Sequence, residues 1–124
     1  MADKCAVVCV VDDDAAARSA LKFALEVDGL DVRLYDGPQA LLAEESLPRE
    51  ACLVIDYRMP EMDGLDLVRA LRARKIGLPA IMITGRANKD LRRRAQKCGV
   101  HCLLEKPLSD GQLIACIRSA LAGG

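Results

Sequence analysis

Short runs of consecutive apolar residues recur along the chain and are separated by stretches with helical periodicity. Four of these runs, at 5–11, 52–55, 80–83 and 100–104, have the length and β-branched content of strands buried on both faces of a sheet. The segment 30–35 alternates apolar and polar residues instead, which is typical of a strand exposed on one side. The pattern therefore predicts five strands.

A helical pattern follows each predicted strand. Apolar positions at helical spacing mark these segments, a glycine or proline punctuates most of their ends, and Ser109 with Gln112 forms a capping-box pattern for the last one. The predicted helices run from about 17 to 28, from 38 to 44, from 63 to 76, from 88 to 98 and from 109 to 121.

Because strand and helix alternate five times, we expect an α/β fold, a doubly wound (βα)5 unit with a parallel five-stranded sheet and helices on both faces. The 124 residues have the length of a single domain covering 1–124. Neither a G-x-G-x-x-G motif nor a P-loop follows the first strand, which argues against a dinucleotide site.

Charge and composition narrow the range of functions. The 18 basic and 18 acidic residues cancel, so no net field recruits nucleic acid or a membrane, although acids dominate up to Asp66 and segment 69–97 is basic. No apolar run reaches the roughly eighteen residues of a membrane span, and no secretory signal precedes the first strand. We therefore expect a cytoplasmic protein with six reduced cysteines. The C-x-x-x-C spacings at 5–9 and 98–102 do not match a zinc motif.

Polar residues stand at or just past the ends of four predicted strands. The first strand is followed by Asp12 and Asp13, the third ends on Asp56, and the fourth and fifth are followed by Thr84 and Lys106. Because the carboxyl ends of parallel strands lie on one edge of the sheet, these residues should meet in one pocket. Taken singly, the acids could form a helix-capping turn, and the lysine and threonine could be ordinary surface and strand-end residues.

Carboxylates gathered in one pocket repel each other by about 3 kcal/mol per pair at an effective dielectric near 20. A hard dication such as Mg²⁺ (or Mn²⁺), held by carboxylate oxygens and waters, would offset this repulsion and bridge to a phosphoryl oxygen. Lys106 and the Thr84 hydroxyl could bind other phosphoryl oxygens while Asp56 attacks as a carboxylate nucleophile. The residues therefore indicate aspartyl-phosphate chemistry.

Four motifs, VVDDD at 10–14, IDYRMPEMDG at 55–64, ITG at 83–85 and EKP at 105–107, resemble in order and spacing the receiver domain of two-component response regulators. The resemblance covers essentially the whole chain and is greatest to the subfamily of the nitrogen-fixation regulator FixJ. It implies a CheY-like, flavodoxin-like fold with sheet order 2-1-3-4-5. It also implies that Asp56 accepts a phosphoryl group from a sensor histidine kinase or a histidine phosphotransfer protein, and that the domain then controls a partner or a fused output domain.

The resemblance also implies roles for individual residues. The three carboxylates and the main-chain carbonyl of Arg58 would bind the metal, and Asp13 would be the member of the acidic pair in direct contact with it. Thr84 and Lys106 would bind the phosphoryl group, and a cis peptide often precedes the proline that corresponds to Pro107.

One switch position departs from the family pattern. Receivers commonly carry Tyr or Phe three residues before the lysine, where the ring rotates inward when the threonine moves toward the phosphoryl group. Here that residue is Leu103, so the switch formed by Thr84 and Leu103 cannot use an aromatic rotation. Arg58 and Arg86 occupy positions that tune acyl-phosphate hydrolysis in the family, and they could bind a phosphodonor or pair with the acids.

The fourth predicted helix carries a strongly basic segment, with Arg92, Arg93, Arg94 and Lys97. A basic helix face is most often simply solvated. In the family, however, this helix belongs to the partner-docking surface. The alternative hypothesis is therefore that it docks an acidic partner or a second copy of the domain, giving a homodimer through the fourth helix and fifth strand.

Two other functions remain compatible with the fold. A phosphate-independent receiver-like interaction module is favoured by Leu103 and opposed by the acidic pair, Thr84 and Lys106. A metal-dependent phosphatase with an aspartyl nucleophile would place a second acid two residues after Asp56, where Arg58 stands. We therefore expect no turnover enzyme, only self-catalysed phosphotransfer and slow autodephosphorylation.

The resemblance covers a receiver without an output domain. We expect either a stand-alone receiver or a domain excised from a longer protein, in which Gly123-Gly124 begins a linker or forms a frayed terminus.

Overall fold

A computed structural model describes residues 6–122, so Cys5 at the predicted start of the first strand and Gly123-Gly124 lie outside the described residues. Strands and helices alternate as predicted. In chain order they are β1 (Val7–Val11), α1 (Ala15–Val27), β2 (Asp31–Tyr35), α2 (Pro38–Leu42), β3 (Ala51–Asp56), α3 (Gly64–Ala73), β4 (Ala80–Thr84), α4 (Lys89–Lys97), β5 (Cys102–Glu105) and α5 (Asp110–Ala122). Among residues 6–122, no helix is both long and apolar enough to cross a membrane.

The five strands form one parallel sheet in the order β2-β1-β3-β4-β5, which confirms the predicted fold. β3 lies at the centre, and all six of its residues are buried. In the register of β1 and β3, Val11 is opposite Ile55, so Asp12 and Asp56 follow directly at neighbouring positions of the same edge. The register therefore brings together two acids that are 44 residues apart in sequence.

Alternating side chains of the strands fill two separate cores, one on each face of the sheet. Cys9, Leu53 and Met82 face the core that α2, α3 and α4 cover. Val10 and Val54 face the second core, which is completed by α1 and α5. Both cores are almost entirely aliphatic, as the 2% aromatic content requires.

Several element boundaries differ from those predicted. β5 begins at Cys102 rather than at position 100, because Gly99 takes a positive φ of 82° and the Val100 amide donates to the Ala95 carbonyl at 3.0 Å, which closes the end of α4. α2 ends at Leu42 rather than at Glu44.

Arg72 anchors the residues that follow α3. Its side chain is half-buried, and Nη1 donates to the carbonyls of Ile76 and Leu78 at 2.8 and 2.9 Å. Arg72 therefore holds the connection between α3 and β4 in place, because it supplies donors to carbonyls that no strand or helix satisfies.

Gly64, the first residue of α3, lies against the segment that carries Asp56. A Cβ atom at Gly64 would be 3.1 Å from the Asp56 carbonyl oxygen, the Tyr57 Cα and the Met82 Cε. Asp63 caps the helix beside it in a capping box with Asp66. The absence of a side chain at Gly64 thus allows α3 to begin directly against the end of β3.

Gly64→Ala should lower the free energy of unfolding by about 1–2 kcal/mol, because the added methyl overpacks against the backbone of Asp56 and Tyr57. Urea denaturation measures the change. Gly111→Ala is the matched control, since a Cβ there has no atom within 4 Å and should stabilise α5 by up to about 1 kcal/mol. Equal stabilisation by both substitutions would contradict the close packing at Gly64.

Candidate functional site

Three carboxylates meet at the carboxyl edge of the sheet, where β1 and β3 end. One carboxylate oxygen from each of Asp12, Asp13 and Asp56 lies within 4.8 Å of the others. Asp12 and Asp56 are 5% and 9% exposed, whereas Asp13 is exposed to solvent. Within the described part of the chain, this is the only group of three or more His, Cys, Asp or Glu side chains close enough to share a metal ion.

Two residues of the acidic run at 12–14, Asp12 and Asp14, have different structural roles. Asp14 caps α1, since its side chain accepts a hydrogen bond from the Ala16 amide at 3.0 Å. The Asp12 carboxylate accepts a hydrogen bond from the Asp14 amide at 2.9 Å, and the main-chain carbonyl of Asp12 accepts one from Arg18 Nη1 at 2.8 Å. These contacts fix Asp12 in the turn and leave one face of its carboxylate directed at Asp56.

Burial and mutual repulsion raise the pKa of Asp56 to about 6. Loss of hydration is the larger cause and the neighbouring Asp12 carboxylate adds to it, while Lys106 acts in the opposite direction. The Lys106 Nζ lies 3.5 Å from the Asp56 Oδ1. Burial also raises the pKa of Asp12. The site thus holds more negative charge than the single lysine offsets.

The predicted switch residues lie beside this cluster, but the Thr84 hydroxyl is not free. Thr84 is 2% exposed at the end of β4, and its Oγ1 donates to the Arg86 carbonyl at 3.2 Å and accepts from the Arg86 amide at 3.3 Å. Leu103, on β5 opposite Met82, is half-buried against the core beneath α3 and α4. Binding a ligand through Thr84 therefore requires the turn at 84–86 to release the hydroxyl.

The segment after Asp56 forms a shallow cavity of about 450 Å³. Arg58 and Asp63 line it together with Tyr57, Met59 and Pro60. The side chains of Arg58 and Arg86 are exposed. Among the described residues neither arginine forms an ion pair with the three acids, which was one of the two roles predicted for them.

Three residues around the site were missed by sequence reasoning. Arg18 binds the Asp12 carbonyl, Gly64 lets α3 approach Asp56, and Arg94 donates to the Tyr57 hydroxyl at 3.2 Å. Arg94 had been grouped with the exposed arginines of α4. The position of Arg94 within its helix gives a signal that could have separated it, because it precedes buried Ala95 and lies three residues after buried Leu91, on the inner side of α4.

The donor set determines what the cluster can bind. Its ligand atoms are carboxylate oxygens, which Mg²⁺ and other hard divalent cations prefer, and the arrangement leaves room for water ligands on the side of exposed Asp13. The buried Asp56 carboxylate, next to a lysine ammonium, has the chemistry of a nucleophile toward an anionic electrophile. The site therefore fits a divalent cation and a phosphoryl group together.

The family model of the response regulator receiver domain matches residues 8–118. The transcriptional regulatory protein FixJ of Bradyrhizobium diazoefficiens is 40% identical over 114 residues, which cover 90% of this chain and 55% of FixJ. The response regulator protein TodT of Pseudomonas putida is 33% identical over 121 residues, 98% of this chain and 53% of TodT. A crystal structure of FixJ-N superposes with a TM-score of 0.88 at 36% identity, covering 98% of this chain and 96% of that one. The chain thus spans about half the length of these curated relatives.

Asp56→Asn should raise the free energy of unfolding by about 1–3 kcal/mol at pH 7.5 in the presence of a chelator. The raised pKa of Asp56 means that the folded protein binds this proton more tightly than the unfolded chain does, so stability is lost as pH rises from about 4 through about 6. The gap between the variant and the wild type should close near pH 4. Denaturation at several pH values measures it.

Glu45→Gln, at an exposed loop position, is the matched control and should leave stability unchanged. An Asp56→Asn variant that is less stable than the wild type at pH 7.5 would contradict the repulsion among the acids.

Proposed function

The chain belongs to the response regulator receiver domain family of two-component systems, and we propose that Asp56 is its phosphoacceptor. This proposal rests on one observation: the Asp56 side chain lies close to those of Asp12, Asp13 and Lys106 at the carboxyl edge of the sheet. Asp56 is the carboxylate of that group that forms an ion pair with the lysine, at 3.5 Å.

The Asp56 carboxylate would attack the phosphorus of a phosphohistidine. A new O–P bond forms as the P–N bond breaks, and the imidazole nitrogen keeps the bonding electron pair. Lys106 would bind one phosphoryl oxygen as a compact positive charge. The Thr84 hydroxyl would bind another after leaving the Arg86 backbone, to which it is now hydrogen bonded. Self-catalysed transfer and slow autodephosphorylation follow from the same residues.

Asp12, Asp13 and Asp56 would hold Mg²⁺ or Mn²⁺, with the main-chain carbonyl of Arg58 as a further ligand. When bound, the cation supplies positive charge that lowers the repulsion between the carboxylate and the incoming phosphoryl group. Asp13 is the exposed member of the acidic pair, which suits it to direct contact with a hydrated ion.

Phosphorylation would shift the turn at 84–86 and the half-buried Leu103 beside it between two arrangements. Thr84 links phosphorylation to the shift of the turn, because its hydroxyl can hydrogen-bond either to the Arg86 backbone or to the phosphoryl group. Leu103 would follow by repacking against the aliphatic core rather than by rotating an aromatic ring.

The partners proposed for the domain are a sensor histidine kinase or a histidine phosphotransfer protein as donor, and an output partner or fused output domain as target. FixJ and TodT are by name regulatory proteins about twice as long as the matched region. A cytoplasmic location is part of this proposal, since that is where two-component phosphotransfer takes place. Neither direct nucleic-acid binding nor membrane binding is proposed for this unit.

Incubation with acetyl phosphate and Mg²⁺ should add one phosphoryl group, measured as intact mass. Asp56→Asn should show no adduct, and a chelator should abolish the adduct of the wild type. Lys106→Met should reduce the rate of phosphorylation by about 100-fold or more, because a preorganised charge on the transferring group is lost.

An adduct that persists in the Asp56→Asn variant would place the acceptor elsewhere. Absence of any adduct, together with no binding of beryllofluoride, would favour the phosphate-independent interaction module instead.

Arg92→Glu with Arg93→Glu should weaken phosphorylation-dependent self-association, or binding of an acidic partner, by about tenfold or more. Both side chains are exposed on α4, and Arg93 forms an ion pair with Asp90 at 2.9 Å. Sedimentation velocity of the phosphorylated protein measures the dimer. Arg49→Glu with Lys75→Glu reverses the same amount of charge at exposed positions outside α4 and should have little effect. An unchanged dissociation constant in the α4 variant would exclude this docking face.

A further inference from the structure

Arg94 connects α4 to the segment that carries the phosphoacceptor. Its Nη2 donates to the hydroxyl of Tyr57 at 3.2 Å, across 37 residues of sequence. Within residues 6–122, this is the only side-chain hydrogen bond that joins α4 to another element of the fold. Tyr57 directly follows Asp56.

The backbone of Tyr57 is held on both sides. Its amide donates to the Ile83 carbonyl at 2.8 Å, and its carbonyl accepts the Gly64 amide at 2.8 Å. Its half-buried side chain packs against the core beneath α3 and α4, and Tyr57 also lines the cavity formed by the segment after Asp56. The position of the ring is therefore coupled to the backbone from Asp56 to Arg58, which presents both the nucleophile and the proposed metal-binding carbonyl.

Arg94 is less exposed than its neighbour Arg93, with 39% of its side chain exposed against 67%. Within the described part of the chain, the Arg94 Nε is buried and has no hydrogen-bond partner. The nearest carboxylate, that of Asp90, lies 3.8 Å from this nitrogen. An arginine that served only to solvate α4 would extend into water, because burying an unsatisfied N–H costs free energy. The contact with Tyr57 is the interaction gained in return.

We propose that Arg94 is a positioning residue for the phosphoacceptor site, and that it acts through the Tyr57 hydroxyl. This inference rests on the proposed function of Asp56. The Arg94–Tyr57 hydrogen bond holds the segment after β3 in the arrangement seen here, in which the three carboxylates converge. Removing it loosens that segment and weakens the binding of Mg²⁺ and of a phosphoryl group together.

The coupling works in both directions. If occupancy of one site changes the affinity of a second site, occupancy of the second site changes the affinity of the first by the same factor. A partner that displaces α4 would pull Arg94 from Tyr57 and weaken phosphoryl binding. Conversely, occupation of Asp56 would favour the position of α4 in which the contact is made. The Leu103 side chain has no hydrogen-bonding group, so this polar route is distinct from packing at the Leu103 position.

The test compares Tyr57→Phe, Arg94→Met and the double variant with the wild type. The probe is beryllofluoride with Mg²⁺, and its affinity is measured from the bound ¹⁹F resonances. Each single substitution should weaken binding by about threefold to tenfold, the range expected for one hydrogen bond. The double variant should lose no more than either single variant, because both remove the same contact. Arg49→Met, at an exposed arginine outside α4 and the site, is the matched control and should bind like the wild type.

A second readout needs no ligand. The chain contains two tyrosines, so 3-fluorotyrosine labelling gives two resonances, and Tyr57→Phe identifies one of them. Arg94→Met should shift the Tyr57 resonance and leave that of Tyr35 in place, while Arg49→Met should shift neither. Tyr57→Phe keeps the ring in the core, so its thermal unfolding should remain within a few degrees of the wild type.

The outcomes separate this inference from the proposed function. Wild-type protein that binds no beryllofluoride at Asp56 would overturn both. If the wild type binds beryllofluoride but each single variant binds it with an affinity within twofold of the wild type, the role of Arg94 alone is overturned. The same conclusion follows if the losses of affinity in the two single variants multiply in the double variant.

Discussion

The repulsion between Asp12 and Asp56 is the interaction on which the rest of the site depends. The register of β1 and β3 places the two carboxylates at adjacent strand ends, and burial keeps water from separating their charges. One half-exposed lysine, 3.5 Å from Asp56, offsets only part of this cost. The folded domain therefore stores unfavourable electrostatic energy that a divalent cation and a phosphoryl group relieve together, which links occupancy of the site to the conformation around it.

Such a cluster is stable only in a rigid frame. The aliphatic strands on both faces supply most of that frame, and Gly64 and Arg18 fix the turns that follow β3 and β1. The parts able to move lie at the rim. The Thr84 hydroxyl is bound to a local backbone turn that it can leave, and Arg94 reaches from α4 to the residue after Asp56. Rigid strand ends and adjustable loops together suit the site to the proposed switching role.

Much of this arrangement follows from the sequence, because a parallel sheet brings its strand ends to one edge. Once five βα units are recognised, the convergence of Asp12, Asp56 and Lys106 requires no further information. Contacts that depend on side-chain direction could not be predicted in this way. The use of Arg72 to bind loop carbonyls and the hydrogen bonding of the Thr84 hydroxyl to Arg86 each depend on local backbone geometry that periodicity does not encode. Helical spacing could have separated Arg94 from its neighbours, but not identified the Tyr57 hydroxyl as its partner. The late start of β5 has a similar cause, since the Val100 amide closes α4 by donating to the Ala95 carbonyl.

The most direct test of the account is a crystal structure of the protein with Mg²⁺ and beryllofluoride. The account predicts beryllium bonded to an Asp56 carboxylate oxygen, with fluorines contacting the Lys106 Nζ and a Thr84 hydroxyl released from Arg86. It also predicts Mg²⁺ held by Asp13, Asp56 and the Arg58 carbonyl. A beryllofluoride bound away from Asp56, or a metal bound without these carboxylates, would contradict the central claim.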